Sequence, residues 1–154
     1  MTVQTESVAE TFDLTLTRVL NAPRALVFEM WSNAEHKNQW WRPKAFTLID
    51  SAENFRPGGD WMSIMEAPSG SQYRMEGRYE EIVENERIVF THHWVEDGAR
   101  GPQTLITVTF ADDPEGTRLT FTQALIDNES DRNNQQNGWN EFLDMLTSAL
   151  ATKS

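Results

Sequence analysis

The stretch Arg56-Pro57-Gly58-Gly59-Asp60-Trp61 opens a run of segments, 61–65, 73–79 and 88–94, whose apolar residues recur at every second position. That period belongs to antiparallel strands with one buried face, so a chain that repeats it is confined to a sheet-based fold. The buried face carries Trp61, Met65, Met75, Phe90 and Trp94, together with Ser63, His92 and Tyr79. Rings interleaved with hydrogen-bonding groups suit the wall of a cavity better than a dry core.

Proline and glycine divide the rest. Pro68 with Gly70, Gly98 with Gly101 and Pro102, and Pro114 with Gly116 fall between alternating runs and mark hairpins. With further strands at 12–20, 45–53, 105–110 and 117–125, the spacing predicts seven. Asn21 as cap, Pro23 in the first turn and the stripe Leu26, Val27, Met30, Trp31 predict a helix over 23–34, followed by a short segment, 34–41, that Pro43 ends. From Ser130 onward Trp139, Phe142, Leu143, Leu146, Ala149 and Leu150 are spaced three and four apart, the stripe of a long amphipathic helix. Gly138 inside that helix costs about 1 kcal/mol relative to alanine unless packing needs the missing side chain, so a close approach to the sheet is expected there. Gly77 inside a strand predicts a bulge or bend that curves the sheet.

The 154 residues, 38% hydrophobic, fit one domain over 12–151 behind a flexible segment, 1–11. There is no cysteine, which excludes disulfides and thiolate metal sites. The polar, acidic first residues lack a secretory pattern, and no apolar run approaches the roughly 20 residues of a membrane span, so a cytoplasmic protein is expected. A net charge of −11 opposes nucleic acid and anionic membranes, whose recognition begins with Lys and Arg.

Several segments together resemble a known family: Arg18-Val19-Leu20-Asn21-Ala22-Pro23, the pair Trp40-Trp41, Pro57-Gly58-Gly59-Asp60-Trp61, Gly77-Arg78-Tyr79-Glu80-Glu81-Ile82, Thr117-Arg118-Leu119-Thr120-Phe121-Thr122 and Gly138-Trp139. In this order over 12–150, they resemble the helix-grip fold of the START and birch-pollen-allergen (SRPBCC) superfamily. Within it, the chain is similar to the subfamily related to the activator of the Hsp90 ATPase, often grouped with polyketide cyclases. The resemblance implies an α+β fold in which a curved, seven-stranded antiparallel sheet wraps a long C-terminal helix, with two short helices between strands 1 and 2. It also implies an apolar cavity between sheet and helix, used across the superfamily for lipids, hormones or polyketides, and by the subfamily's name a chaperone partner and a stress response. Many relatives carry histidine where Gln123 and Gln135 stand, and glutamine can orient a ligand but cannot shuttle a proton.

Six tryptophans are many for this length. Core packing accounts for Trp31, while Trp61, Trp94 and Trp139 either plug or line the space under a curved sheet. Trp40 and Trp41, in a connector, are expected to cap one end of it, as static packing or as a lid. His92 and His93 adjoin on a strand and point to opposite faces, so they cannot share a metal. By the parity of Phe90 and Trp94, His92 is the inward one and the weak candidate for a general base, and His93 is expected to be exposed. Asp60, Ser63, Glu66 and Glu76 are its candidate partners, although the two glutamates have outward parity. Asp127, Glu129 and Asp131 read as a solvated turn whose charge complements the helix dipole.

The expected activity is binding of a small hydrophobic or aromatic ligand by Trp41, Trp61, Ser63, Met65, Met75, Tyr79, Phe90, His92, Trp94, Ile106, Phe121, Gln123, Trp139 and Phe142, with no cofactor and no metal. A cyclase or hydrolase using the same cavity is the alternative, and a chaperone-ATPase activator the third. Either a monomer or a homodimer is compatible with the pattern.

Overall fold

The computed structural model describes residues 11–152. All but Thr11 of the expected N-terminal segment 1–11 lies outside the described residues. The strands are β1 (Phe12–Leu20), β2 (Thr47–Glu53), β3 (Asp60–Glu66), β4 (Gln72–Val83), β5 (Arg87–Glu96), β6 (Ala99–Arg100), β7 (Thr104–Asp113) and β8 (Gly116–Ile126). The helices are α1 (Arg24–Ser32), α2 (Ala34–Lys37) and α3 (Glu129–Ala151). One antiparallel sheet runs β1-β8-β7-β5-β4-β3-β2, with β6 beside β5. The seven expected strands form that path. The eighth, of two residues, arises because Asp97 (φ 52°) and Gly98 (φ 79°) make a tight left-handed turn that folds Ala99 and Arg100 back onto β5.

The far end of β4 differs from the pattern for a physical reason. The β4–β5 register shifts between Tyr79 and Glu81, so the extra residue moves the alternation to the other parity and hides the second half of β4. Before that, between Glu76 and Tyr79, side chains take over the ladder. Arg78 N donates to Thr91 Oγ1 at 2.9 Å, and the Trp61 indole reaches across β4 to donate to Thr91 O at 3.1 Å. A Cβ on Gly77 would collide with Thr91 O and stand 2.6 Å from Trp61 Nε1, so this glycine lets an indole lie across the strand. Gly138 is different: a Cβ there meets nothing within 4 Å, which corrects the expected close approach to the sheet.

The cap of α1 is also corrected. Pro23, not Asn21, is the N-cap, in an extended conformation and without a side-chain cap, and its carbonyl accepts from Leu26 N and Val27 N. The expected segment 34–41 shortens to the four residues of α2, capped by the Asn33 side chain. Asn128 caps α3 by accepting from Asp131 N at 2.8 Å, and Glu129 and Asp131 in its first turn complement the dipole. Trp139, Phe142, Leu143, Leu146 and Leu150 are buried against the concave face of the sheet. From β1, Arg18 holds the helix by donating to Asp144 Oδ1 and to Asn140 O and Oδ1. No helix among the described residues is long and apolar enough to cross a membrane.

Candidate functional site

Register places the inward side chains in transverse rows. One row is Leu14, Gln123, Ile106, Phe90 and Tyr79; the next holds Thr104, His92, Gly77, Trp61 and Glu53. A third contains Trp94, Met75, Ser63 and Ser51, and the last Tyr73, Met65 and Leu48. The alternation thus brings the expected residues of β3, β4, β5, β7 and β8 onto one face, and α3 adds Trp139 and Phe142 from above.

Their rings touch. Trp41 stands 4.9 Å from Phe142, 5.7 Å from Trp139 and 6.0 Å from Trp61 between ring centroids, and Trp139 stands 5.0 Å from Phe121. Trp61 continues the chain to Phe90 at 5.6 Å. Trp41 therefore lies at the centre of the aromatic cluster rather than at its end, fully buried, with its indole donating to Ser63 Oγ at 3.2 Å. Trp40 packs edge-on to Trp31 and donates to Met30 O at 2.9 Å. Trp94 is half-buried, and Tyr73, in contact with Phe46, is exposed, so the concave face opens at that end.

A polar chain crosses this aromatic interior. Gln123, fully buried, donates from Nε2 to Gln135 Oε1 at 2.7 Å and to Thr104 Oγ1 at 2.9 Å, and accepts from Trp139 Nε1 at 2.8 Å. The two glutamines that depart from the histidine pattern are therefore bonded to each other, one on β8 and one on α3. Thr104, which accepts from Gln123, donates its hydroxyl hydrogen to His92 O at 3.3 Å and stands 3.4 Å from His92 Nδ1. His92 Nε2 faces Met75 Sδ at 3.1 Å. Burial, with a smaller contribution from His93, lowers the His92 pKa to about 3. The imidazole is neutral at pH 7 and too weak a base for proton abstraction there. None of the proposed acidic partners hydrogen-bonds to it: Glu76 pairs with Arg74 and Arg100 on the outer face. His93, expected to be exposed, is buried, because the segment after β6 runs back along β5 and sets Gly101 O 2.9 Å from His93 Nδ1.

Lys37 and Glu53 are absent from the residues singled out by pattern. Lys37 Nζ, on α2, lies 3.2 Å from Glu53 Oε1 and 3.2 Å from Tyr79 Oη, and the Tyr79 hydroxyl donates to Glu53 Oε1 at 2.6 Å. The ammonium sits over Trp41, 4.3 Å from the ring centroid, with Trp61 and Tyr79 rings at 5.7 and 5.8 Å. Burial lowers the Lys37 pKa despite the opposing pull of Glu53, and burial raises that of Tyr79 well above 10, Glu53 adding to it. The Pro57-Gly58-Gly59 turn aims Tyr79: Gly58, at φ 85°, donates to Tyr79 O, and Tyr79 N donates to Gly59 O. One sequence signal was present, Lys37 lying one helical turn before Trp41, while the register shift in β2 between Leu48 and Asp50 hides the inward parity of Glu53. Among the described residues, no three histidine or carboxylate side chains stand together as a metal site.

The family model for "Activator of Hsp90 ATPase homolog 1-like protein" matches residues 21–151. The chain belongs to this family. An uncharacterised protein of Rhizobium leguminosarum is 31% identical to this Hsp90-activator-like chain, with a TM-score of 0.83 over 93% of this chain and 96% of that one. A protein of Chromobacterium violaceum is 28% identical, with a TM-score of 0.79 over 88% and 95% of the two chains. A family member from Silicibacter pomeroyi shares the fold, at 23% identity and a TM-score of 0.86 over 93% and 100%. No curated protein matches the chain.

Proposed function

We propose that this Hsp90-activator-like chain binds a small apolar or aromatic molecule between the concave face and α3. The observation that carries the reading is the polar chain of buried Gln123, Thr104 and His92, joined to half-buried Gln135, set inside aromatic walls. A core built for stability alone gains little from four hydrogen-bonding side chains, whereas a site needs a few to orient an otherwise apolar guest. Because the rings touch, the guest takes the place of one of them. Trp41 is the ring to move: it lies in the connector between α2 and β2, while Trp61, Phe90, Phe121, Trp139 and Phe142 are fixed on strands or α3.

The same polar chain argues against the cyclase or hydrolase reading through His92, since an imidazole held neutral, with Nε2 against a thioether, is too weak a base to accept a substrate proton at pH 7. The Hsp90-activating role in the family's name needs a docking surface. Among the described residues, the large exposed apolar side chains, Val19, Ile49, Tyr73 and Leu125, stand on four different strands, which does not favour it.

Native mass spectrometry of freshly purified protein, with titration by the neutral fluorophore N-phenyl-1-naphthylamine, tests the reading. Wild type is expected to quench its tryptophans on probe binding, and Trp41→Ala to bind more tightly because the displaced volume is already free. No retained molecule, and no probe binding by either protein, would sink it.

A further inference from the structure

We infer that Lys37 forms a reactive-amine site, in which its Nζ condenses reversibly with a small aldehyde admitted through the cavity beside it. The cavity lies between α2 and the edge strand β2 and shares Trp41, Trp61 and Ser63 with the space proposed for the guest, but the condensation needs only Lys37, Glu53 and Tyr79 and is tested without that guest. Its volume is about 50 Å³, and its lining includes Lys37, Glu53, Trp41, Trp61 and Ser63. A single water needs about 10–15 Å³ by the same measure, so a molecule of a few heavy atoms fits. Ala34, Asn38 and Ala52 at its rim are exposed, giving access from solvent.

Three features suit the amine to this chemistry. Glu53 Oε1 and Tyr79 Oη each stand 3.2 Å from Nζ, within reach of the protons that condensation must move. Glu53 Oε2 is buried without a hydrogen-bond partner among the described residues, an acceptor free for the hydroxyl of the first adduct. The Trp41, Trp61 and Tyr79 rings around Nζ stabilise a cation there, and an iminium is a cation of the same charge. Burial that lowers the Lys37 pKa makes its neutral form more accessible than that of an exposed lysine.

The step balances without a co-reactant. The Lys37 ammonium gives a proton to Glu53, and its lone pair forms the C–N bond as the carbonyl π pair moves to oxygen. That oxygen takes a proton from Tyr79 Oη, which is re-protonated from Glu53. The carbinolamine then expels its hydroxyl with a second proton, from nitrogen by way of Glu53, as water. Ammonium and aldehyde have become iminium and water.

The chain has three lysines, Lys37, Lys44 and Lys153, so selectivity is directly readable. Native protein is treated at pH 7.5 with acetaldehyde and cyanoborohydride, which traps the iminium as an ethylamine, and peptide mapping follows the rate at each lysine. Lys37 is expected to react faster than exposed Lys44, because Glu53 and Tyr79 stand beside its nitrogen to move the protons that condensation requires. The preference should vanish in urea-unfolded protein, and Tyr79→Phe should slow Lys37 while leaving Lys44 unchanged. Lys37 reacting no faster than Lys44 in the native wild type, which requires no variant to fold, overturns the inference. So does a preference that survives unfolding.

Discussion

His92 illustrates how one side chain's surroundings decide its chemistry. Its folded pKa of about 3 lies below the ordinary 6.5, so between those values the unfolded chain binds the extra proton and the folded one does not. The stability it contributes is complete above pH 6.5 and is lost as the pH falls towards 3. At pH 5 the loss amounts to about 2 kcal/mol. His92→Gln, which keeps a hydrogen-bonding side chain but does not titrate, should therefore remove about that much of the difference between pH 7 and pH 5 urea-unfolding free energies. An unchanged acid limb in the variant would show that the imidazole is not held neutral. Lys37 and Glu53 obey a different constraint, since removing one partner leaves the other charge buried. Glu53→Gln is expected to cost about 3–5 kcal/mol, measured by the same unfolding experiment at pH 7.

At the scale of elements, two glycines that look alike in sequence part company. Gly77 makes room for an indole that replaces missing rungs between β4 and β5, so Gly77→Ala should push Trp61 off Thr91 O and destabilise by roughly 1–3 kcal/mol or more. Gly138 faces open space in a helix, so Gly138→Ala should stabilise by up to about 1 kcal/mol, with the probe affinity unchanged. Thermal unfolding of the two variants side by side checks both signs. The strands were legible because alternation records which face is buried, and the ends of β4 were not, because the bulge after Tyr79 reverses the alternation. That the expected residues of β3, β4, β5, β7 and β8 share one inward face was legible for the same reason. Gln135, Lys37 and Glu53 were harder, because their roles depend on which strand or helix lies opposite, and a polar residue at a buried parity resembles a solvated one until its partner is known.

At the scale of the whole molecule, the sheet and α3 hold their rings from fixed backbone, while the connector from Asn38 to Phe46 inserts Trp41 between them. Its backbone amides bond within short local turns, as from Trp41 N to Lys37 O and Phe46 N to Pro43 O, with Lys44 N on Glu141 Oε1, rather than in a strand ladder, and the Trp41 indole has one hydrogen bond, to Ser63. Opening this segment breaks local turns but no rung of the sheet, so its free energy should fall below that of global unfolding. Hydrogen exchange is expected to show the amides of 38–46 exchanging faster than those of β5, β7 and β8, with N-phenyl-1-naphthylamine altering exchange in the connector first. Trp41→Ala should cost about 3–5 kcal/mol, the loss typical of emptying a ring's volume in a core, and should return part of it on addition of the probe. If instead the connector exchanges only with the global unfolding of the sheet, Trp41 is a fixed piece of the core, and the space beneath the sheet is closed to a guest.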